Sequence, residues 1–457
     1  MSKEAKEVYQ NKSTLPPNPN SFLDKYFKLT ERGTNVKTEL IAGLTSFLAM
    51  SYIIVVNPMI LADAGIPHEA ALAATIYASV FCTLLFALWV NYPVAIAPGM
   101  GLNAFFTYTV VIGEGLTWQT ALGAVFISGL VFFILTVTGI RQKIVEGVPV
   151  PLKSAIGVGI GLFIAFIGFQ NAGLVVANDA TVVGLGDVTK AGPLIAIIGI
   201  IIAGYLMAKK VKGGLLITIA VTTIIAMIVG VAAVPKAAGD IFSFKLPSMA
   251  ETFMQMDIMG AIGYGVIAVI FSFTIVELFD NLATLIGLTK KAGLMDEDGH
   301  IQDLDKALQA DSIGTMASAA FGSTALNAYV ENATGVSEGG RTGLTALTVA
   351  FLFLASLLFA PLIGFIPSVA TAPILIIVGA LMLTEIANIK FDDYTNVIPV
   401  FLTIVMMPLT YSIATGLAFG FITYTALKLM SGKHKEIHWI VYFISIAFII
   451  HFIMGGH

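Results

Sequence analysis

Phe271-Ser-Phe-Thr-Ile-Val-Glu-Leu-Phe-Asp280 and Ser323-Thr-Ala-Leu-Asn-Ala-Tyr-Val-Glu-Asn-Ala-Thr-Gly-Val-Ser-Glu-Gly-Gly340 decide how this chain is read. Three carboxylates, Glu277, Asp280 and Glu331, sit inside or beside apolar runs. A charged side chain at bilayer depth costs roughly 2.5–3.5 kcal/mol on insertion scales. Such groups face a bundle interior or a water-filled cavity, and they mark functional sites by default.

The surrounding chain makes membrane depth the right frame. Of 457 residues, 57% are hydrophobic and 11% charged, and mean hydropathy is +0.91. Soluble domains carry about 25% charged residues. Apolar runs recur along nearly the whole length, each able to cross about 30 Å of hydrocarbon. The polar start, Met1 to about Thr38, lacks the apolar core and cleavage site of a signal peptide and reads as a cytoplasmic tail. Cys82 is alone, which excludes an intrachain disulfide, and reads as an inert buried thiol. The six histidines fall in loops or near the C-terminus, and no metal-ligand spacing occurs. No Ser/His, metal or paired-Asp protease pattern stands at bilayer depth, which argues against an intramembrane enzyme, and nothing points to nucleic acid.

Two segments are too broken for continuous helices. The first is Asn91-Tyr-Pro-Val-Ala-Ile-Ala-Pro-Gly-Met-Gly-Leu-Asn-Ala-Phe-Phe106. Val94 to Ala97 reads as extended, and Pro98-Gly99 as a turn into a helix beginning near Gly101, with Asn103 in its first turn. In the second, Ser323 to Val330 reads as extended, with a short helix from Glu331 or Asn332. Non-helical backbone at this depth is tolerated only where it is buried in protein or lines a cavity. Asn57-Pro58 disturbs the first span, either as a plain kink or as a cavity wall. Asp179 to Lys190 reads as a polar loop, and residues 235–256 as the boundary between halves.

The Lys/Arg clusters all fall on the cytoplasmic side if both broken segments cross the membrane. That gives fourteen spans and a C-terminal apolar segment, Ile437 to Met454, which either crosses or lies at the interface. The halves echo each other, and seven spans per half invert the second. The fold class is therefore an all-α polytopic membrane protein of two inverted seven-span repeats, with short strands in broken spans 3 and 10. Discontinuous helices at matching positions point to a transport site near the midplane.

Glu277 and Asp280 are three residues apart and share roughly one helix face. Two carboxylates that close resist ionising together when partly desolvated, so the pair suits a proton carrier. Glu331 can accept two hydrogen bonds from a planar N–H pair such as a purine edge. Asn103 can both donate and accept. Tyr329 offers a ring for stacking or for packing. Each of these also has a scaffold reading, evenly balanced for Asp280. Glu338, beside Arg341, reads as scaffold.

Five motifs in order now carry a resemblance. They are Tyr52-Ile-Ile-Val-Val-Asn-Pro58, Ala97-Pro-Gly-Met-Gly-Leu-Asn-Ala-Phe-Phe106, Glu277-Leu-Phe-Asp280, Tyr329-Val-Glu-Asn-Ala-Thr-Gly-Val336 with Gly339-Gly-Arg-Thr-Gly343, and Met407-Pro-Leu-Thr-Tyr-Ser-Ile413. Together they resemble the AzgA-like purine permeases of the nucleobase–cation symporter-2 family, over essentially the whole chain. The resemblance implies a core domain of spans 1–4 (38–145) and 8–11 (257–365). It implies a gate domain of spans 5–7 (146–235) and 12–14 (366–431), flanked by a 1–37 tail and a 432–457 apolar helix. It further implies a homodimer through the gate, in a cytoplasmic membrane with the N-terminus inside. The implied activity is proton-coupled uptake of hypoxanthine, guanine or adenine by an elevator-like movement, with no cofactor besides the proton. Glu277 and Glu331 would bind the base, and Asn103 and Asp280 would support recognition or coupling. One departure bears on which purine is preferred: the subgroup usually has Asp at the position of Glu277, and Gly where this chain has Ala283. Sulfate- and bicarbonate-type anion transporters share the architecture and form the alternative. Their anions sit at positive half-helix ends, where three acids would repel them.

Overall fold

A computed structural model describes residues 21–263, 267–296 and 300–453. Within its helices, the side chains of 142, 143, 145, 146, 267, 268, 279, 280, 282, 283 and 451 lie outside the description. The chain is mostly helical. Among the described residues, eight helices are long and apolar enough to cross a membrane.

The first half opens with α1 (Phe22–Phe27), capped by Ser21. A long first span follows as α2 (Val36–Met50) and α3 (Ile53–Asp63), then α4 (His68–Leu85). The first broken segment is strand β1 (Ile96–Pro98), then α5 (Met100–Ala104), which runs on as a π-helix over Phe105–Gly113. After it come α6 (Trp118–Val137), α7 (Ile140–Gly147), α8 (Val150–Asn171), α9 (Ala191–Ala208) and α10 (Gly214–Ile228). No α-helix or strand occupies 235–256, the stretch expected to separate the halves.

The second half begins with α11 (Ile258–Gly263), α12 (Ile267–Lys291) and α13 (Leu304–Phe321). Its broken segment is β4 (Leu326–Ala328) and α14 (Asn332–Ser337). Then come α15 (Gly343–Ser356), α16 (Ala360–Ile363), α17 (Ser368–Met382), α18 (Tyr394–Thr410) and α19 (Ile413–Met430). The chain breaks between α18 and α19 at Tyr411, in a left-handed conformation at φ 56°. The apolar C-terminal helix α20 (Trp439–Ile453) packs along α19, with Ser445 bonded to Thr425 at 2.7 Å and Phe448 against Phe271 and Phe421.

One expected loop is a hairpin. Strand β2 (Val175–Asn178), just before the stretch read as polar loop, pairs antiparallel with β3 (Val182–Leu185) inside it. The Asn178 carboxamide accepts from the backbone N–H of Ala180 and Thr181 at 2.9 and 3.1 Å, which folds the turn between two valine-rich runs.

The two broken segments meet. Strand β1 pairs antiparallel with β4, Ala97 opposite Asn327, so each extended stretch satisfies the other's backbone. Asn332 locks the crossing. Its Oδ1 accepts from Ala95 N at 3.0 Å, and its Nδ2 donates to Ala95 O and Tyr329 O at 2.8 Å. Gly335 lets α14 lie against the first span, because a Cβ there would fall 2.2 Å from Ser46 Oγ and 2.5 Å from Ala42 O.

Candidate functional site

The site is built around the β1–β4 crossing. Helix α12 brings Glu277 there, wholly buried. Its Oε1 accepts from Thr315 Oγ1 of α13 at 2.8 Å, and Thr315 Oγ1 also accepts from Leu326 N at 3.4 Å. Glu277 Oε2 has no hydrogen-bond partner among the described residues. One turn along α12, Asn281 Oδ1 accepts from Ala328 N at 2.9 Å, so α12 holds one end of β4 directly and the other through Thr315.

Asn103 lies in the short helix after β1 and is also wholly buried. Its Oδ1 accepts from Thr324 Oγ1 at 2.5 Å, while its Nδ2 has no partner among the described residues. Glu331 ends the turn into α14 and is half-buried. Its Oε1 accepts from Tyr52 of the first span at 2.8 Å. Tyr329 is buried and donates its hydroxyl to Pro98 O at 2.5 Å, which ties β4 to the end of β1. Its ring lies 6.3 Å from that of Tyr52. Glu277, Asn103, Tyr329 and Glu331 are therefore all wired into the same crossing. Asp280 lies on α12, but its side chain is outside the described residues.

Two further acids belong to the structure's polar layer and were not singled out from sequence. Asp311 of α13 stands one turn from Thr315, wholly buried and within electrostatic reach of Glu277. Its partner is Arg141 of α7, Nη2 to Oδ2 at 3.2 Å. The Arg141 side chain is 1% exposed and lies over the Phe132 ring at 4.5 Å. In sequence Arg141 counts as one more cytoplasmic loop cation; here it reaches back into the bundle. The spacing Asp311-x-x-x-Thr315 on a helix pointing at broken span 10 was the available signal.

The second acid is Glu39, buried at the start of the first span. Its carboxylate accepts from Arg341 N at 2.8 Å, Thr345 N at 3.1 Å and Thr345 Oγ1 at 2.6 Å. It therefore caps the N-terminus of α15, where free N–H groups and the helix dipole favour an anion. This explains the Gly-Gly-Arg-Thr-Gly motif. A Cβ on Gly343 would lie 2.0 Å from Ala87 O, so the start of α15 touches the turn that continues α4 backbone to backbone. Arg341 spends its guanidinium on the carbonyls of Val336 and Gly340, closing the end of α14. Glu338 turns the other way, to Lys212 between α9 and α10, at 2.9 Å.

The last motif packs against the π-helix that follows β1 and α5. Tyr411 donates its hydroxyl to Gln170 of α8, and its ring sits among Tyr108, Phe163 and Phe166. Its carbonyl accepts from Thr109 Oγ1 at 2.8 Å, in the π-helical part of broken span 3. No cluster of His, Cys, Asp and Glu able to hold a metal occurs among the described residues.

Residues 37–419 match the model of a permease family, that of the xanthine/uracil permeases. A guanine/hypoxanthine permease of Bacillus subtilis is 44% identical over 432 residues, 93% of this chain and 99% of that one. An adenine permease of Escherichia coli is 40% identical over 428 residues, 94% and 95% of the two chains. Among solved structures, the transmembrane domain of a cyanobacterial bicarbonate transporter superposes with a TM-score of 0.61, over 83% of this chain and 97% of that one. At 17% identity that likeness concerns the fold alone. With family match and relatives both covering nearly its full length, the chain belongs to the xanthine/uracil permease family, the nucleobase–cation symporter-2 group, and is a permease rather than an enzyme.

Proposed function

We propose that this permease takes up purine nucleobases, hypoxanthine, guanine or adenine, together with protons across a cytoplasmic membrane. The observation that carries the reading is the pair of open valences at the crossing. Glu277 Oε2 is an acceptor and Asn103 Nδ2 a donor, both buried and both without a protein partner among the described residues. Buried polar groups are ordinarily paired, and leaving one unmade costs about 1–3 kcal/mol. A heteroaromatic base presents an N–H beside a ring acceptor and satisfies both. The names of the relatives support the cargo.

In this reading Glu277 and Glu331 hold the base, Asn103 orients it and Tyr329 closes one side. Glu277, with Asp280, carries the coupling proton. Spans 1–4 and 8–11 form a core that moves against a gate of spans 5–7 and 12–14, in two inverted seven-span repeats with the N-terminus inside, and the gates pair as a homodimer. The three acids oppose the anion alternative. Uptake of labelled hypoxanthine into cells expressing the chain, with unlabelled bases as competitors and with or without a protonophore, tests the proposal. Saturable uptake, competed by purines and abolished by the protonophore, is expected; transport of bicarbonate or sulfate with no purine competition overturns it.

A further inference from the structure

Outside the site lies an open apolar cavity of about 420 Å³. Its walls are Phe47 to Val55 of the first span, Leu216 to Met227 of α10, and Ser356 to Ile366 around α16. Ile54, Val55, Ile219 and Ile363 form its buried interior, 5%, 4%, 1% and 8% exposed. Ile224 and Phe359, 56% and 47% exposed, stand at its mouth. Polar surface is almost absent: Ser51 bonds its own helix, to Leu48 O, and the Thr223 hydroxyl is buried with no partner among the described residues.

We infer that this cavity binds a phospholipid acyl chain from the bilayer. Two arguments carry it. The first is depth. Its walls belong to apolar spans, with Pro235 and Ile366 just beyond their ends, so hydrocarbon is what faces most of the mouth, and water gains nothing in a chamber with so few polar partners. The second is the counterpart groove, and it rests on the reading of the chain as two inverted halves. In that reading the cavity is bounded by the first and seventh spans of one half and by the junction of the fourth and fifth spans of the other. The groove of the same make on the opposite side lies between α12, α19 and α7. It is filled by the chain's own apolar helix α20, through Phe448 on Phe271 and Phe421, and Ser445 on Thr425. Residues 1–20 are polar in sequence and carry no apolar run like that of α20. A lipid chain takes the place that α20 takes opposite.

The full-length protein in vesicles of phosphatidylcholine with a diazirine at the acyl terminus tests this. Irradiation and peptide mass spectrometry should find adducts on Ile54, Val55, Ile219 or Ile363, which annular lipid cannot touch. Ala220, a small residue of the wall, becomes the plug: Ala220→Phe should lower those adducts at least severalfold. Ile217→Phe, on the same helix but not on the wall, should leave them unchanged. Thr223→Val should also leave them unchanged, since an acyl chain makes no use of the hydroxyl. Adducts confined to exposed residues, equal labelling in Ala220→Phe with its melting temperature intact, loss of labelling in Thr223→Val, or a co-purified protein helix cross-linked in the cavity would each overturn the assignment. Purine uptake by the same vesicles is read separately, so failure of the transport reading and failure of lipid binding are told apart.

Discussion

At the residue scale, the centre of the molecule holds two acids and one guanidinium in a layer sealed from solvent: Glu277, Asp311 and Arg141. Removing one member of a buried ion pair strands the other, at a cost of about 3–5 kcal/mol, whereas replacing both with apolar groups is often neutral. Arg141→Met should therefore lower the melting temperature sharply, and Arg141→Met with Asp311→Leu should recover most of it. Glu277→Gln keeps the volume and the acceptor for Thr315 but removes the charge and its second acceptor. Hydrogen bonds to charged groups contribute about 1.5–3 kcal/mol, so substrate affinity should fall at least about tenfold. Uptake should also lose its pH dependence, whereas wild-type behaviour in this variant would remove Glu277 from the site. Asp393, outside the spans, is held below its usual pKa of 3.8 by Lys433, then by Thr395. A depressed carboxylate stabilises the fold above that value and ceases to do so as pH falls through its folded pKa. Asp393→Asn should thus lower thermal stability at neutral pH and flatten its decline on acidification.

At the scale of elements, close backbone contact is what the motifs encode. Gly343→Ala would place a methyl group against Ala87 O at 2.0 Å, and overpacking of this kind costs about 1–3 kcal/mol. Gly204, inside α9, has open space within 4 Å of the point where a methyl group would sit, so Gly204→Ala should be neutral or stabilising by about 0.5–1 kcal/mol. Melting curves of the two variants in one detergent make the comparison. Both broken segments were legible because proline, glycine and short apolar stretches cannot continue a helix. That they pair with one another was not, since pairing between Ala97 and Asn327 leaves no local periodicity. The β2–β3 hairpin was missed for a different reason: its strands are four residues each, too short to show an alternation, and Asp179 to Thr181 between them carries the polar signature of a loop. Arg141 shows the limit most plainly. Positive charge near a span end is read as solvated, and nothing in its own neighbourhood announces an acid on α13.

On the scale of the whole molecule, long-range polar contacts tie segments that composition treats as separate. Glu39 caps a helix that begins three hundred residues later, and Lys212 reaches Glu338 at the end of α14. Lys212→Glu should set like charges side by side there, weaken that closure, and raise the accessibility of a cysteine probe at Ser337. An unchanged labelling rate would mean the pair, exposed as it is, contributes nothing to closure.

The β1–β4 pairing also has a consequence for synthesis. The partner of Ala97 is Asn327, 230 residues downstream (327 − 97). At about 5–20 residues per second, a ribosome needs roughly 10–50 s to supply it. Throughout that interval β1 carries unmatched peptide groups at a depth where lipid offers them nothing. The nascent first half must be sheltered, by the insertion machinery or by lingering in a hydrated setting, until the second half arrives. Expressed alone, residues 1–245 should be rapidly degraded; supplied together with 246–457, both fragments should persist and regain uptake.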